Sequence, residues 1–126
     1  MRSAGEIEAA VSAAMTRFEQ EHMGRGPKNV HVYLLGDMLL VRLEGVLTTA
    51  EQQLARSLPP EKGRDLLKQV RTQLIETARP TLSQAILTET GHSPISMHHD
   101  ISTVTGEEII LFVLAEAPEV RELKRR

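Results

Sequence analysis

Apolar residues recur at intervals of three and four along the first part of the chain, which is the spacing of one face of an α-helix. The stripe consists of Ile7, Val11, Ala14, Met15 and Phe18. Ser3 and Glu6 have the spacing of a capping box, in which the hydroxyl and the carboxylate each bind a backbone N–H group. Gly24 suits a left-handed cap at the other end. The pattern therefore predicts a helix from about Ser3 to Met23.

Two strands joined by a tight turn are predicted next. Asn29–Leu35 and Met38–Glu44 are rich in Val, Leu and Tyr, and only a Gly-Asp pair separates them, as in a hairpin with a two-residue turn. Such a turn fixes the register, which makes one face of the hairpin aliphatic throughout. The opposite face is polar at its far end, where His31 meets Arg42, but apolar near the turn, so we expect a partner to cover it there. Its candidate interface residues are Tyr33, Leu35, Met38 and Leu40.

A short and a long helical segment occupy the middle of the chain. Thr48 and Glu51 repeat the capping-box spacing and predict a helix that ends at about Ser57. A second apolar stripe runs from about residue 61 to residue 90, and Pro80 lies inside it. Because proline removes a backbone donor and disfavours helical geometry in the residue before it, we expect a kink or two abutting helices there.

The length of this second stripe favours an oligomer. About thirty residues of helix span ~45 Å, whereas a seven-residue strand spans ~23 Å. The helical segment would therefore overhang its own sheet, and its apolar stripe continues into the overhang. We expect a second subunit to cover this part, with Leu82 and Ile86 as candidate interface residues.

A second hairpin is predicted near the end of the chain. Residues 93–102 alternate apolar and polar side chains, as a half-buried strand does, and Glu108–Leu114 would pair with them. Because residues 109–114 are all apolar, we expect this strand to lie centrally and to be covered on both faces. The element order α-ββ-α-α-ββ indicates an α+β fold, in which amphipathic helices pack on a four-stranded antiparallel sheet made of the two hairpins. We expect this fold to form a dimer.

Composition narrows the class of protein. The chain has 126 residues and is expected to form one domain, with an ordered core at 3–115 and a polar tail at 116–126. Its formal net charge is −2 and aromatic residues make up 2%, so a nucleic-acid partner is not expected. It contains no cysteine, which excludes disulfides and thiolate chemistry, and no apolar run long enough to span a membrane. We expect a cytoplasmic protein without a cofactor.

The densest group of ligand-type side chains lies in the third predicted strand. His98 and Asp100 are two residues apart and point to the same face, so they could share a metal ion or a small ligand, with Arg42 near them in the sheet. A catalytic zinc site usually takes three protein ligands, and this pair supplies two. A hydrogen bond between the two side chains on an exposed face is the simpler interpretation, and ligand binding stays open as the alternative.

Two loops invite a chemical interpretation. Residues 24–27 read Gly-Arg-Gly-Pro, but phosphate-binding loops precede a helix, whereas this loop follows one. We interpret it as a helix stop, with anion contact through Arg25 and Lys28 as the alternative. Residues 102–106 are rich in hydroxyls, which at hairpin ends most often bind local backbone groups. The chain carries no nucleophile-elbow, Walker or dinucleotide motif, so we assign no catalytic residue and favour a protein that is not an enzyme.

Several blocks of the sequence resemble a small bacterial family. They are GRGPK at 24–28, DMLLVRLEGVLT at 37–48, RP at 79–80, DIST at 100–103 and TGE at 105–107. The likeness covers about residues 6–114. The family is associated with the C component of the Mps system, a sodium-translocating, membrane-potential-generating system linked to bicarbonate and sodium handling. The resemblance implies a place beside that system, and it implies no particular site residues.

The resemblance and the residue pattern together give one expected function and one alternative. Ion translocation needs an element that spans the membrane, and the sequence predicts none. We therefore expect a soluble accessory or regulatory protein that acts through protein contacts, as a homodimer and beside a membrane transport component. The alternative is a sensor that binds a small ligand or a metal ion without catalysis.

Overall fold

The structure, a computed structural model, describes residues 1–57 and 59–121. Within them, four helices and four strands follow one another in the predicted order, and the α+β class is confirmed. The elements are α1 (Ala4–His22), β1 (Asn29–Leu35), β2 (Met38–Glu44), α2 (Thr49–Ser57), α3 (Pro60–Thr77), α4 (Arg79–Thr90), β3 (Pro94–Ile101) and β4 (Glu108–Leu114).

Helix α1 begins at the predicted capping box. The Ser3 hydroxyl accepts a hydrogen bond from the Glu6 N–H at 3.2 Å, and Oε1 of Glu6 accepts one from the Ser3 N–H at 3.0 Å. The helix ends shortly before Gly24, whose φ of 82° is a left-handed value that glycine adopts without strain. The buried face of α1 carries the predicted apolar stripe and, in addition, the carboxyl group of Glu19.

Both predicted hairpins form and join into one antiparallel sheet with the strand order β1-β2-β4-β3. The register of the first hairpin is the predicted one, with Tyr33 opposite Leu40 and Leu35 opposite Met38. Strand β4 pairs with β2 on one side and with β3 on the other, which confirms its predicted central position. The sheet therefore depends on pairing between two strands that are far apart in the sequence.

The helices pack on one side of this sheet, which gives it two different faces. We call the helix-covered side the inner face and the opposite side the outer face. Leu39 and Phe112 of the inner face are both 0% exposed. On the outer face, Ile109, Leu111 and Val113 of β4 are only half-buried. The expectation that β4 is covered on both faces is therefore wrong for the single chain, because no helix of the described residues lies over the outer face.

The long helical segment consists of two helices, which was one of the two predicted alternatives. Ala78, between α3 and α4, has φ −88° and ψ 4° and so leaves helical geometry. Pro80 lies in the first turn of α4, where a missing N–H group removes no helical hydrogen bond. The break allows α4 to pack against α1. The single overhanging helix is therefore not formed, and the expected dimer loses this support.

Both edge strands of the sheet, β1 and β3, have features that block pairing with a further strand. The Leu34 N–H of β1 donates a hydrogen bond to Oε2 of Glu8 in α1, at 2.8 Å. Strand β3 begins at Pro94, and its pairing with β4 shifts between Pro94 and Ser96, as at a bulge. Inserted charges, prolines and bulges are the usual means by which proteins block pairing at a sheet edge.

The C-terminal segment returns to the beginning of the chain. The Arg121 N–H donates a hydrogen bond to the Arg2 carbonyl at 3.0 Å, and the Arg121 guanidinium lies 2.7 Å from Oε1 of Glu6. Val120 packs against the hydrophobic core. The polar tail expected at 116–126 therefore contacts the fold up to Arg121, and its residues 122–126 lie outside the described part of the chain.

Candidate functional site

The outer face of the sheet carries an apolar patch at one end and a charged row at the other. Paired residues of an antiparallel sheet point to the same side, so the registers give rows of neighbours across the strands. Tyr33, Leu35 and Met38 are 45%, 53% and 39% exposed, which are large fractions for apolar side chains. The apolar patch consists of Tyr33, Leu35, Met38, Leu40, Leu111 and Val113. The charged row consists of His31, Arg42, Ile109 and Asp100.

Ion pairs within the chain neutralise the charged row. Nε of Arg42 donates to Oε2 of Glu107 at 2.7 Å, and this hydrogen bond, followed by the charge of Glu107, raises the pKa of Arg42. Nζ of Lys68 lies 3.0 Å from Oδ1 of Asp100, and this hydrogen bond is the main cause that lowers the pKa of Asp100. These two ion pairs make this end of the outer face a polar rim.

The structure places Asp100 and Arg42 in this rim, whereas His98 lies opposite Leu111 of the apolar patch. His98 and Asp100 do lie on the same face, and Arg42 lies in the same row as Asp100, two strands away. The Asp100 carboxylate, however, binds Lys68 and the Ile101 N–H rather than His98. Within residues 1–57 and 59–121, no group of three or more ligand-type side chains could hold a metal ion. The geometry therefore favours ion pairing at this place over chelation.

The predicted interface residues fall into two groups. Tyr33, Leu35, Met38 and Leu40 belong to the apolar patch on the outer face. Leu82 and Ile86, in contrast, lie in the hydrophobic core and are each 1% exposed. The prediction that these two residues lie at an interface is wrong. They are core residues, because the break at Ala78 turns their side of α4 toward α1 and the sheet. They present no surface to a partner.

A buried cluster of charged residues, which the sequence analysis missed, connects four elements of the fold. Nε and Nη2 of Arg71 in α3 donate to the two carboxylate oxygens of Glu108 in β4, each at 3.2 Å. The same guanidinium donates to Oε2 of Glu51 in α2 at 3.1 Å and to Oε1 of Glu19 in α1 at 3.3 Å. Arg71 is 1% exposed, and Glu19 and Glu108 are 0% exposed. We call these four residues the Arg71 cluster.

The Arg71 cluster brings three carboxyl groups to one guanidinium, which affects how Glu19 ionises. Burial, followed by the charge of Glu108, raises the pKa of Glu19 to about 8, although the Arg71 charge opposes this. Its Oε2 atom has no hydrogen-bond partner among the described residues. Glu19 therefore holds a proton at neutral pH. Burial alone would lower the pKa of Arg71, but the hydrogen bonds and charge of Glu108, together with the other carboxyl groups of the cluster, raise that pKa.

A sequence signal for this cluster was present. Arg71 lies midway between Leu67 and Ile75 in the apolar stripe of α3, so helical periodicity points it into the core. Glu108 likewise precedes Ile110 and Phe112 at the two-residue spacing of the inner face. An unpaired buried charge is strongly destabilising. Two residues of opposite charge at core positions are therefore expected to be partners. Three of its four residues are buried, whereas the Glu51 side chain is 20% exposed. The cluster joins the helices to the sheet, so the candidate functional surface is the outer face.

Comparison with known proteins identifies relatives of the chain but no solved structure. Within the described residues, no helix combines the length and the apolar character needed to cross a membrane. A protein of Bacillus subtilis (strain 168), Uncharacterized protein YbcI, is 37% identical over 113 residues, which cover 90% of this chain and 89% of that protein. No solved structure matches significantly. The family model described as Na+-translocating membrane potential-generating system (MpsC) matches residues 3–116, so this chain belongs to the MpsC family.

Proposed function

We propose that the protein is an accessory component that acts through protein contacts, and that its outer face pairs with the outer face of a second copy. The observation that carries this proposal is the apolar patch, which lies uncovered beside a row of charged residues. Exposed apolar patches with a polar rim are typical of protein interaction sites. The patch also lies on a rigid sheet, so it needs no rearrangement before it binds.

The arrangement of charges on the outer face suits a second copy of the same chain. A two-fold axis parallel to the strands would lay β1 of one copy over β3 of the other, and β2 over β4. His31 would then face the partner's Asp100, and Leu40 would face the partner's Leu111. An axis perpendicular to the strands would instead lay charged rows over apolar patches, which is unfavourable because it desolvates charges without pairing them. The face is therefore self-complementary in one orientation.

The size of the face supports an interface of moderate strength. Four strands at ~4.8 Å and seven residues at ~3.3 Å give a face of about 19 Å by 23 Å, or about 440 Å² in projection. Side chains project from this plane, so the accessible area that each copy would bury is larger. Stable interfaces bury roughly 800 Å² from each partner. We therefore expect a dimer with a dissociation constant in the micromolar range.

The family supplies the process in which this dimer would take part. The description of the MpsC family names a Na+-translocating, membrane potential-generating system. We propose that the chain supports such a system from the cytoplasm, beside a membrane transport component, and a chain without cysteine is consistent with that reducing compartment. The predicted metal or ligand sensor at His98 and Asp100 is not favoured, because Lys68 already binds Asp100.

Sedimentation velocity tests the dimer. Wild-type protein is compared with Tyr33→Lys from about 1 µM to about 200 µM, and we expect Tyr33→Lys to raise the dissociation constant at least about tenfold, because a lysine would be desolvated inside the interface. Val70→Lys is the matched control, since Val70 is 42% exposed on α3 whereas Tyr33 is 45% exposed. A monomeric wild-type protein at the highest concentration would refute the dimer.

A measurement in cells tests the link to the membrane system. Cells that lack the gene are compared with cells that express the wild-type chain, Tyr33→Lys or Val70→Lys, and a potential-sensitive dye reports the Na+-dependent membrane potential. We expect the wild type and Val70→Lys to restore the potential and Tyr33→Lys to fail. An unchanged potential in the deletion strain would contradict the link to this system, and full rescue by Tyr33→Lys would contradict the role of the outer face.

A further inference from the structure

A cleft lies at the end of the sheet where three loops and two helices converge. Its volume is about 500 Å³, which is within the range of small-ligand sites. The walls come from the α1–β1 loop, the β2–α2 loop, the facing sides of α2 and α3, and the β3–β4 turn. This cleft is separate from the apolar patch, the charged row and the Arg71 cluster, and nothing in the proposed function uses it.

The cleft concentrates positive charge in a chain that is weakly acidic overall. Arg25, Lys28, Arg56 and Arg64 line it, whereas none of the described residues that line it is acidic. The whole chain has a net charge of −2. Arg64 lies 3.6 Å from its neighbour Asp65. Lys28 and Arg56 make no ion pair or side-chain hydrogen bond within residues 1–57 and 59–121, so two cations are available to an incoming anion.

The walls of the cleft are held in place before any ligand binds. Nη1 of Arg25 donates to the Leu47 carbonyl at 3.3 Å, and Nε2 of Gln52 donates to the same carbonyl at 3.3 Å. The side chain of Lys28 passes over Gly45, where a Cβ atom would lie 2.7 Å from Cγ of Lys28. The glycine thus makes room for the lysine stem. The Arg25 guanidinium is thus preorganised and loses little entropy on binding, which favours affinity.

Neutral hydrogen-bonding groups complete the cleft. Thr103 and Thr105 in the β3–β4 turn contribute hydroxyl groups to the lining. The Thr105 hydroxyl oxygen accepts from the Glu107 N–H at 3.2 Å, which leaves its own proton free to donate. The described lining contains no aromatic residue, so it provides no surface on which a nucleobase could stack. A guanidinium group can donate two parallel hydrogen bonds to two oxygens of one phosphoryl group. This set of residues is therefore suited to phosphoryl groups.

We infer that this cleft binds a small anion that carries one or more phosphoryl groups, with Lys28 and Arg56 as its principal charged contacts. The Gly-Arg-Gly-Pro loop thus contributes Arg25 from one side and leads to Lys28 on the same side. Two sources could supply this chemistry, namely a free phosphorylated metabolite and the phosphate of a lipid headgroup. The same cleft would bind either of them through the phosphoryl oxygens.

Isothermal titration with sodium pyrophosphate tests this site. Wild-type protein is compared with Lys28→Gln, Arg56→Gln and the double variant, at low ionic strength and against sodium chloride of equal ionic strength. We expect each single variant to weaken binding about tenfold, because each removes one charge-assisted hydrogen bond, and the double variant to abolish it. Arg17→Gln is the matched control, since Arg17 is an exposed arginine of α1 outside the cleft. Melting temperatures without ligand verify that all variants fold.

The results separate a site from general electrostatic attraction. Absence of pyrophosphate binding by the wild type, or equal weakening by Arg17→Gln and Arg56→Gln, would overturn the inference. Co-sedimentation with vesicles of phosphatidylglycerol and phosphatidylcholine distinguishes the two sources. Vesicle binding that pyrophosphate reverses and that the double variant loses would identify a headgroup. Pyrophosphate binding without vesicle binding would identify a free ligand. Lys28 and Arg56 do not belong to the outer face, so these results are independent of the proposed dimer.

Discussion

The proton on Glu19 makes a strong prediction about how stability depends on pH. The carboxyl group has a pKa of about 8 in the folded protein and an ordinary value of 4.5. The folded protein therefore holds the proton more tightly than the unfolded chain does. For this group, the contribution to stability is complete below pH 4.5 and is lost as the pH rises toward 8. Glu19→Gln replaces the protonated acid with a neutral group of the same shape and removes this titration.

The expected size of the effect follows from the shift. Each unit of pKa difference corresponds to about 1.4 kcal/mol, so the group alone lowers the free energy of unfolding by about 3 kcal/mol between pH 5 and pH 8. In Glu19→Gln both amide N–H donors lack an acceptor, because Oε2 of Glu19 has no partner among the described residues. The protonated acid has one such donor, so the additional unpaired donor costs about 1 kcal/mol. We expect the variant to be about as stable as the wild type at pH 5 and more stable at pH 8, by about 3 kcal/mol.

Urea denaturation followed by circular dichroism measures this difference. Wild type, Glu19→Gln and Glu21→Gln are unfolded at pH 5, 6, 7 and 8, at one fixed protein concentration because association also affects stability. Glu21 is exposed on the same helix and serves as the matched control. The lowered pKa values of Glu6 and Asp100 act below this pH range. Parallel pH profiles for wild type and Glu19→Gln would refute the reasoning, because Glu19 would then be ionised in the folded state.

Three further substitutions test how the fold is held together. Arg71→Met leaves the buried Glu108 carboxylate unpaired, and we expect a loss of about 3–5 kcal/mol in the urea-derived free energy of unfolding; a loss below about 1 kcal/mol would contradict the importance of the cluster. Gly63→Ala places a Cβ atom 2.6 Å from the Leu54 carbonyl oxygen, so we expect a loss of about 1–3 kcal/mol and faster hydrogen exchange in α2, whereas unchanged exchange in α2 would argue against this close helix contact. Ser3→Ala removes the hydroxyl of the capping box and should cost about 1 kcal/mol in thermal denaturation; an unchanged melting temperature would contradict it.

The local elements were predictable from the sequence because short-range chemistry specifies them. The capping box at Ser3 fixes where α1 begins, and the Gly-Asp pair fixes the register of the first hairpin. Pro80 indicated the change of direction between α3 and α4, although it did not decide between a kink and a break. Each of these signals acts within a few residues of its own position. Local elements can therefore be predicted without knowledge of the tertiary structure.

The site was less predictable, because it depends on contacts between distant residues. The stripe around Leu82 and Ile86 indicated burial, but periodicity does not say whether the same chain or a partner provides the cover. Arg71 and Glu108 are 37 residues apart. Periodicity marks each of them as buried, but the convergence of Glu19 and Glu51 on the same guanidinium appears only in the folded chain. The anion cleft likewise needs three loops and two helices from distant parts of the chain, so the alternative interpretation of Arg25 and Lys28 could be developed only in three dimensions.

The interrupted edges of the sheet limit how far copies of this protein can assemble. A sheet with exposed edges can pair with strands of further chains, and repeated pairing of this type produces fibres. Here the Glu8 carboxylate binds the Leu34 N–H at one edge of the sheet. At the other edge, strand β3 begins with Pro94, which has no N–H to donate. In the dimer that we propose, association would use the broad surface of the sheet, where a two-fold arrangement would cover both apolar patches at once. Growth would stop at two molecules, so the chain could display Tyr33 and Leu35 in a crowded cell without forming aggregates.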